Sequence, residues 1–219
     1  MLKGSDISHW NGKFAVENII QQDKDISFFM IKATEGKTFV DPLMEYFYYT
    51  CESFHMLKGF YHYARPDNNR ALEDALNFVV AVQPFIGDCI LALDWEDKAF
   101  NYPISWALDW LNAVYEMTGV KPLFYCQSSK LLIADCIAES DYGLWVAEWN
   151  GGNAPSTKGK WDVWAMWQST NRPNDIDWFN GNREQWMKYC EPVKKNENIT
   201  EKTDSAGCCC CCCCKRKSE

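Results

Sequence analysis

The sequence has little of several features that would point to particular protein classes. Its 219 residues include only three histidines, and no apolar run is long enough to cross a bilayer. The amino terminus reaches polar Ser5 and Asp6 without passing through an apolar segment, so we expect no secretory signal. We therefore expect a chain that accumulates in the cytoplasm and makes no stable membrane insertion.

Positive charge is also scarce. Lys and Arg together number 22 against 30 Asp and Glu, which gives a formal net charge of -8. Such a chain repels phosphate backbones unless a local basic stripe exists, and no stripe is present. We therefore expect no nucleic-acid partner.

Paired cysteine spacings are absent from the body of the chain. Five of the 12 cysteines are scattered through it: Cys51, Cys89, Cys126, Cys136 and Cys190. They lack the close pairs that are typical of zinc or redox sites, which predicts reduced, partly buried thiols. The three histidines do not make a zinc cage persuasive either, so we expect no metal site and no cofactor.

The other seven cysteines form one uninterrupted run at 208–214, which is followed by three basic residues. This run lies within residues 191–219, a polar segment that is too poor in apolar residues to order itself. We predict a disordered, low-complexity tail. Acylation at a membrane surface and binding of a soft metal are the alternatives for clustered thiols beside basic residues.

Apolar residues are plentiful in what remains. The chain is 47% hydrophobic and 15% aromatic, enough for one sizeable core, so we expect a single domain over residues 1–190 and a monomer. Helical spacing of apolar residues predicts helices at 69–82 and 104–117. Eight short apolar segments predict strands: 4–7, 28–33, 59–63, 90–95, 122–126, 143–147, 163–167 and 175–179.

Strands that alternate with helices predict an α/β fold with a parallel barrel. The last strands are too close together in sequence for a full helix between 149 and 163, or between 168 and 175. We therefore expect a modified, irregular (β/α)8 barrel of the TIM type.

The segment at 90–97, ILALDWED, is an apolar strand that ends in three acids. Because side chains alternate along a strand, Asp94 and Glu96 share one face, and on the inner face they would lie at the carboxyl-end mouth, where barrel active sites are found. One of two neighbouring carboxyls keeps its proton to higher pH and can protonate a leaving oxygen. The alternative is a solvated strand end whose acids bind backbone amides.

Asp6 and Asp175 stand at two other predicted strand ends. Either acid could be a helix cap or a turn residue. A closed barrel would bring both to the same mouth as Asp94 and Glu96, which favours a functional role.

Several motifs occur in an order that resembles one known family. They are DIS at 6–8, IKATEG at 31–36 followed by Asp41, GFYHY at 59–63, LDWE at 93–96 and DIDWFNG at 175–181, with PLFY, LWVA and VWAMWQ between the last two. Over about residues 4–185 the chain resembles glycoside hydrolase family 25, the Chalaropsis-type lysozymes of phages, bacteria and some fungi. The resemblance implies a modified β/α barrel.

The resemblance also implies an activity and its residues. Glu96 matches the family's catalytic acid, Asp94 its partner carboxylate, and Asp6 and Asp175 two further acids on the floor of the groove. The implied reaction is hydrolysis of the β-1,4 bond from N-acetylmuramic acid to N-acetylglucosamine in bacterial peptidoglycan. Retention, inversion and participation of the acetamide all stay open. The enzyme would reach the wall after a lysis event, as phage endolysins do, or by a non-classical route.

Aromatic side chains near strand ends are candidates for contacts with sugar rings. They are Tyr61, Tyr63, Tyr125, Trp149 and Trp167. The family commonly has a tyrosine where this chain has Glu148-Trp149, and an asparagine at the position of Asp177.

Three polar residues inside the motifs have structural explanations. His62 is out of phase with Tyr61 and Tyr63, which predicts a packed, neutral histidine. Lys32 and Glu35 are close in sequence, and we expect an ion pair that holds a turn.

Two other functions fit parts of the pattern. A noncatalytic glycan-binding barrel would use the same aromatic groove, although the intact pair of Asp94 and Glu96 counts against it. A wall amidase would usually require a zinc site or an activated cysteine.

Overall fold

Strands and helices alternate along most of the computed structural model, which describes residues 1–193. The strands are β1 Leu2–Ile7, β2 Ile26–Glu35, β3 Phe39–Val40, β4 Leu57–Tyr63, β5 Cys89–Asp94, β6 Leu123–Gln127, β7 Gly143–Ala147, β8 Met166–Thr170 and β9 Ile176–Phe179. The helices are α1 Ala15–Gln22, α2 Met44–Ser53, α3 Ala71–Val82, α4 Ser105–Thr118, α5 Asp135–Glu139 and α6 Arg183–Cys190.

Eight of the nine strands close into a barrel in the order β1, β2, β4, β5, β6, β7, β8, β9 and back to β1. The short strand β3 forms a hairpin with the end of β2. Neighbours from β1 round to β8 pair in parallel, whereas β9 is antiparallel to both β8 and β1. The predicted α/β barrel is confirmed.

The irregularity of the barrel lies in its last strands. Only five residues separate Thr170 from Ile176, too few for the crossover of a dozen or more residues that a parallel neighbour needs. The chain therefore turns back, and β9 runs antiparallel. The sequence predicted the missing helices but not the reversed direction of β9.

Side chains alternate between the inside and the outside of the barrel along β5, and this alternation determines where its acidic side chains point. Ile90 and Ala92 lie in the core inside the barrel, while Leu91, Leu93 and Trp95 pack outside it against the helices. Asp94 is the next inward-facing residue after Ile90 and Ala92, and it lies at the mouth of the barrel. The prediction that the inner face carries the carboxyls is therefore confirmed for Asp94.

Large apolar side chains fill the amino-terminal end of the barrel. Trp186 of α6 packs there, with its ring centroid 4.6 Å from that of Phe28 and 5.0 Å from that of Phe179. A Cβ atom on Gly4 would lie 2.4 Å from the Phe28 ring, so only glycine fits. Helix α6 thus closes the end of the barrel opposite the mouth, and the mouth is the open end.

Some elements differ from the sequence expectation. Strand β8 begins at Met166 rather than at residue 163. Helix α2 was not predicted, although Met44, Phe47 and Cys51 are buried at helical spacing. Helix α6 buries only Trp186 and Cys190, which leaves little apolar periodicity to detect.

The five cysteines within the described residues are free thiols, and four of them are buried. No helix among residues 1–193 has the length and apolar character that a membrane span needs. Most of the predicted tail, including the cysteine run at 208–214, lies outside the described residues. Its first residues contact the barrel domain, because the Val193 amide donates a 2.8 Å hydrogen bond to the Gly119 carbonyl oxygen.

Candidate active site

An open cleft of about 410 Å³ lies at the carboxyl ends of the parallel strands. Eight of the nine predicted site residues line it: Asp6, Tyr61, Tyr63, Asp94, Glu96, Tyr125, Trp149 and Asp175. The remaining lining consists of Ser8, Trp10, Lys32, Glu35, Arg65, Trp145, Gln168 and Asn171. Barrel closure brings together acids that are up to 169 residues apart in sequence, from Asp6 to Asp175.

Trp167 is the exception, and its predicted contact with sugar is wrong. The side chain is buried in the core between the barrel and its helices. Its indole nitrogen donates a 2.9 Å hydrogen bond to the Glu148 carbonyl oxygen. Trp167 is out of phase with Gln168, which faces the cleft, and so it lies on the outer side of β8.

The carboxyl pair Asp94 and Glu96 lies at the end of β5. Asp94 is in register with Tyr63 of β4 and Tyr125 of β6, and it is 8% exposed. Burial, and then the charge of Glu96, raise the pKa of Asp94 well above its ordinary value. No donor within the described chain reaches its buried Oδ1 atom. The pair therefore favours a protonated state.

Glu96 is the more exposed member of the pair. Burial, followed by the charge of Asp97, raises the pKa of Glu96 to about 7, and Lys32 opposes this shift. Tyr63 donates its hydroxyl hydrogen to Oδ2 of Asp97 at 2.8 Å, which fixes the position of that carboxylate. A carboxyl with this pKa is partly protonated at neutral pH and can act as a general acid.

Gln168 connects the floor of the cleft to its aromatic wall. Its Nε2 donates to Oδ2 of Asp6 at 2.7 Å. Its Oε1 accepts hydrogen bonds of 3.1 Å from the Tyr125 hydroxyl and from the Trp149 indole. One amide thus fixes an acid and two rings relative to each other.

A second carboxyl pair lies beneath Asp6. Asp177 is fully buried, and its carboxyl interacts with that of Asp6. Burial, and then the charge of Asp175, raise the pKa of Asp6 to about 7. Burial, and then the charge of Asp6, raise the pKa of Asp177 well above its usual range. Two carboxyls in contact cannot both ionise readily, so this pair retains a proton.

Asp175 completes the acidic floor. Burial raises the pKa of its carboxyl. The Ser5 hydroxyl donates a 2.5 Å hydrogen bond to the Asp175 carbonyl oxygen and so ties the start of β9 to β1.

Comparison with known proteins agrees with this geometry. The sequence profile of glycosyl hydrolases family 25 matches residues 5–178. The chain belongs to this family. It is therefore a glycoside hydrolase.

Three relatives illustrate the likeness. The uncharacterized protein YegX of Escherichia coli K12 is 27% identical over 213 residues, covering 89% of this chain and 75% of the relative. The structure of a family GH25 lysozyme from Aspergillus fumigatus superimposes with a TM-score of 0.72 at 24% identity, over 87% of this chain and 99% of the other. The structure of the bacterial lysozyme from Streptomyces coelicolor superimposes with a TM-score of 0.72 at 22% identity, over 86% of this chain and 96% of the other.

The expected ion pair of this family 25 chain forms at the end of β2 and also faces the cleft. Lys32 Nζ lies 2.7 Å from Oε2 of Glu35, whose Oε1 accepts a 2.7 Å hydrogen bond from Nε of Arg65. Both cations lie over the Tyr63 ring, at 4.7 Å and 4.8 Å from its centroid. The ion pair forms as predicted, within β2 just before the turn, and Lys32 also places positive charge beside the acids.

The prediction for His62 is confirmed. The ring is fully buried, stacks on Trp110 at 5.2 Å, and lies 2.7 Å from Oγ1 of Thr34 and 3.1 Å from Oδ2 of Asp74. Burial lowers its pKa, which favours the neutral form. His62 therefore supports the fold behind the cleft.

The acidic floor does not form a metal cage by its geometry. Among residues 1–193, no group of three or more His, Cys, Asp or Glu side chains converges as metal ligands would.

Proposed function

We propose that the chain hydrolyses the β-1,4 bond between N-acetylmuramic acid and N-acetylglucosamine in bacterial peptidoglycan. The observation that carries the proposal is the pair of carboxyls, Asp94 and Glu96, at the mouth of a family 25 barrel. Such a pair can supply one proton and one negative charge to the same bond. Glycoside hydrolysis needs both.

Proton donation is the first step. At neutral pH the pair holds a proton, and Glu96 is the member that is more exposed to the cleft. Glu96 passes this proton to the bridging oxygen as the glycosidic bond lengthens. The leaving sugar then departs as a neutral alcohol.

Charge stabilisation is the second requirement. As positive charge develops at the anomeric carbon, an ionised Asp94 becomes favourable beside it, although burial disfavours that ion in the resting protein. Asp6 and Asp175 add negative potential on the floor of the cleft. The carboxylate that completes the reaction, as nucleophile or as a base for water, is decided by the stereochemistry of the product.

The walls of the cleft suit a sugar chain. Tyr61, Tyr125 and Trp149 present ring surfaces and polar edges, and the cleft is open at the surface instead of enclosed. Flat rings pack against the apolar faces of sugars, while the phenol oxygens can accept hydrogen bonds from hydroxyl and acetamide groups. The likeness to structures described as lysozymes supports this substrate.

The proposal is tested by incubating the protein with purified peptidoglycan and analysing the soluble products by mass spectrometry. Muropeptides with new reducing N-acetylmuramic acid ends are the expected result. Binding to the wall without new reducing ends would instead indicate a noncatalytic glycan-binding barrel. Release of free amino groups would indicate an amidase, and the configuration of the new anomeric centre would distinguish retention from inversion.

A further inference from the structure

A second depression continues the cleft beyond Trp10. It has a volume of about 590 Å³ and shares Trp10, Glu35 and Arg65 with the cleft. Its other walls come from the turn between β2 and β3 and from the loop after β4. A polymer held at Glu96 thus has a continuous path over Trp10 and out of the catalytic cleft.

Trp10 is an exposed aromatic ring on a firmly held backbone. Its side chain is 83% exposed. The Ser8 hydroxyl accepts a hydrogen bond from the Trp10 amide, and the Asn11 side chain accepts one from the Ser8 amide. These bonds form a capping box at the start of the helical turn.

His9 anchors the same turn from below. Oδ2 of the buried Asp41 lies 2.7 Å from Nδ1 of His9 and accepts a 3.1 Å hydrogen bond from its amide. The His9 ring lies 4.6 Å from the Trp10 ring and 5.8 Å from that of Phe39. A ring fixed in this way loses little conformational freedom when a ligand stacks on it.

The facing wall is also held in place. Nδ2 of Asn77, on α3, donates hydrogen bonds to the carbonyl oxygens of Gly36 and Phe39, at 2.8 Å and 3.1 Å. These two bonds span the turn that carries Lys37. The depression is therefore formed by residues whose backbone positions are fixed.

Two exposed lysines, Lys37 and Lys98, lie at the edge of this depression on a chain of net charge -8. Arg65 and Glu35 neutralise each other at 2.5 Å. Nζ of Lys37 lies 4.0 Å from Oε1 of Glu73, and Asp67 also lines the depression. An anionic group on a ligand would be attracted to the two lysines.

We propose that this depression is an additional glycan-binding subsite, at which a sugar ring stacks on Trp10 and a carboxylate on the glycan's peptide substituent contacts Lys37 and Lys98. The inference rests on the proposed function, since it assigns the path of the same substrate away from the bond that is cut. It predicts a preference for long, peptide-bearing glycan chains.

The first test compares Trp10→Ala with the wild type on glycan chains of two lengths. We expect KM for long chains to rise roughly threefold to tenfold, the range expected for one lost aromatic contact, with a smaller change for the shortest chain that is cleaved. Phe14→Ala, which removes an exposed ring outside both depressions, is the control. An equal rise for short and long chains, or no rise, would overturn the inference.

The second test removes the lysines. Lys37→Gln with Lys98→Gln should weaken binding to peptide-bearing chains more than to the same chains stripped of peptide. Lys24→Gln with Lys188→Gln removes the same charge at exposed positions outside the depression and controls for long-range attraction. Equal losses on both ligands would overturn the contact between lysine and carboxylate.

Both tests can be repeated as binding measurements in a Glu96→Gln background with soluble glycan chains. The Kd values then report on the subsite without requiring turnover. If the wild type releases no reducing ends, the proposed function fails, and these Kd values still decide the subsite. An unchanged Kd for Trp10→Ala in that background would overturn the subsite alone.

Discussion

The indole nitrogen of Trp145 donates a 2.9 Å hydrogen bond to Oδ1 of Asp177 beneath the floor of the cleft. The other oxygen of Asp177 is buried and receives no hydrogen bond from the described chain. Burial raises the pKa of both Asp6 and Asp177, so the two carboxyls retain a proton between them. We therefore expect Asp177 to position Asp6 through this shared proton.

Asp177→Asn should keep most of the activity, because the amide oxygen still accepts from Trp145 and the amide nitrogen can donate to Asp6. Asp177→Leu should lower the free energy of unfolding by about 1–3 kcal/mol, because it leaves the buried Trp145 indole nitrogen without a hydrogen-bond partner. Chemical denaturation of both variants measures the difference. Equal stability of the two would contradict the assigned hydrogen bonds.

Stability should depend on pH through the same pair. The folded chain holds protons on Asp6 and Asp177 to a higher pH than the unfolded chain, whose aspartates titrate near pH 3.9. The folded state then binds more protons, so stability falls as the pH rises from about 4 through 7, the pKa of Asp6. The Tm of Asp177→Asn should fall less over this window. A Tm of the wild type that rises across it would contradict the pKa directions.

The alkaline limb of the activity profile should move in opposite directions in two variants. Asp97→Asn removes a charge that raises the pKa of Glu96, so the acid loses its proton at lower pH and the limb shifts to lower pH. Lys32→Gln removes a charge that lowers that pKa, so the limb shifts to higher pH. Profiles of kcat against pH measure both. Shifts of the same sign would show that Glu96 is not the group that titrates.

Trp149 and Trp167 are both predicted from the sequence to contact sugar rings, but their substitution by alanine should have different effects. Trp149 is 53% exposed at the cleft, so Trp149→Ala should raise KM with little change in Tm. Trp167 is 2% exposed in the core, so Trp167→Ala should lower the free energy of unfolding by about 3–5 kcal/mol. Steady-state kinetics and thermal melts separate the effects. Loss of stability in both variants would contradict the placement of Trp149.

Much of the fold and of the acidic site could be predicted from local pattern. The period-two alternation of Ile90, Ala92 and Asp94 needs only strand geometry to assign an inner face. The same rule predicted that His62 lies away from the cleft. Applied to β8, it would have separated Gln168 from Trp167, but the predicted strand ended at residue 167, whereas β8 runs to Thr170 and includes Gln168.

Other site residues depend on contacts that are distant in sequence. Trp145 faces Asp177 only because β7 and β9 lie on either side of β8 in the closed barrel. Arg65 reaches the cleft through its bond to Glu35, 30 residues away. Trp10 shows no periodicity, since it lies in a short capped turn. A single sequence carries no local signal for such placements.

The acids should differ in how much each contributes to catalysis. Asp94→Asn should be severely impaired, since it removes the carboxyl that shares the end of β5 with the proton donor and that stabilises the positive charge at the anomeric carbon. Asp175→Asn should lose less, because its carboxyl lies on the floor of the cleft with Asp6 still present. Initial rates on one peptidoglycan preparation give the order. A larger loss for Asp175→Asn than for Asp94→Asn would contradict the roles assigned to them.

The central claim is that Glu96 donates the proton that cleaves the glycan. The most direct measurement compares release of new reducing ends from purified peptidoglycan by the wild type and by Glu96→Gln, with the Tm of both recorded as a check on folding. Glutamine keeps the shape and cannot donate an acidic proton, so we expect kcat to fall by about 100- to 10,000-fold with Tm retained. Near-native release of reducing ends by a folded Glu96→Gln variant would contradict the account.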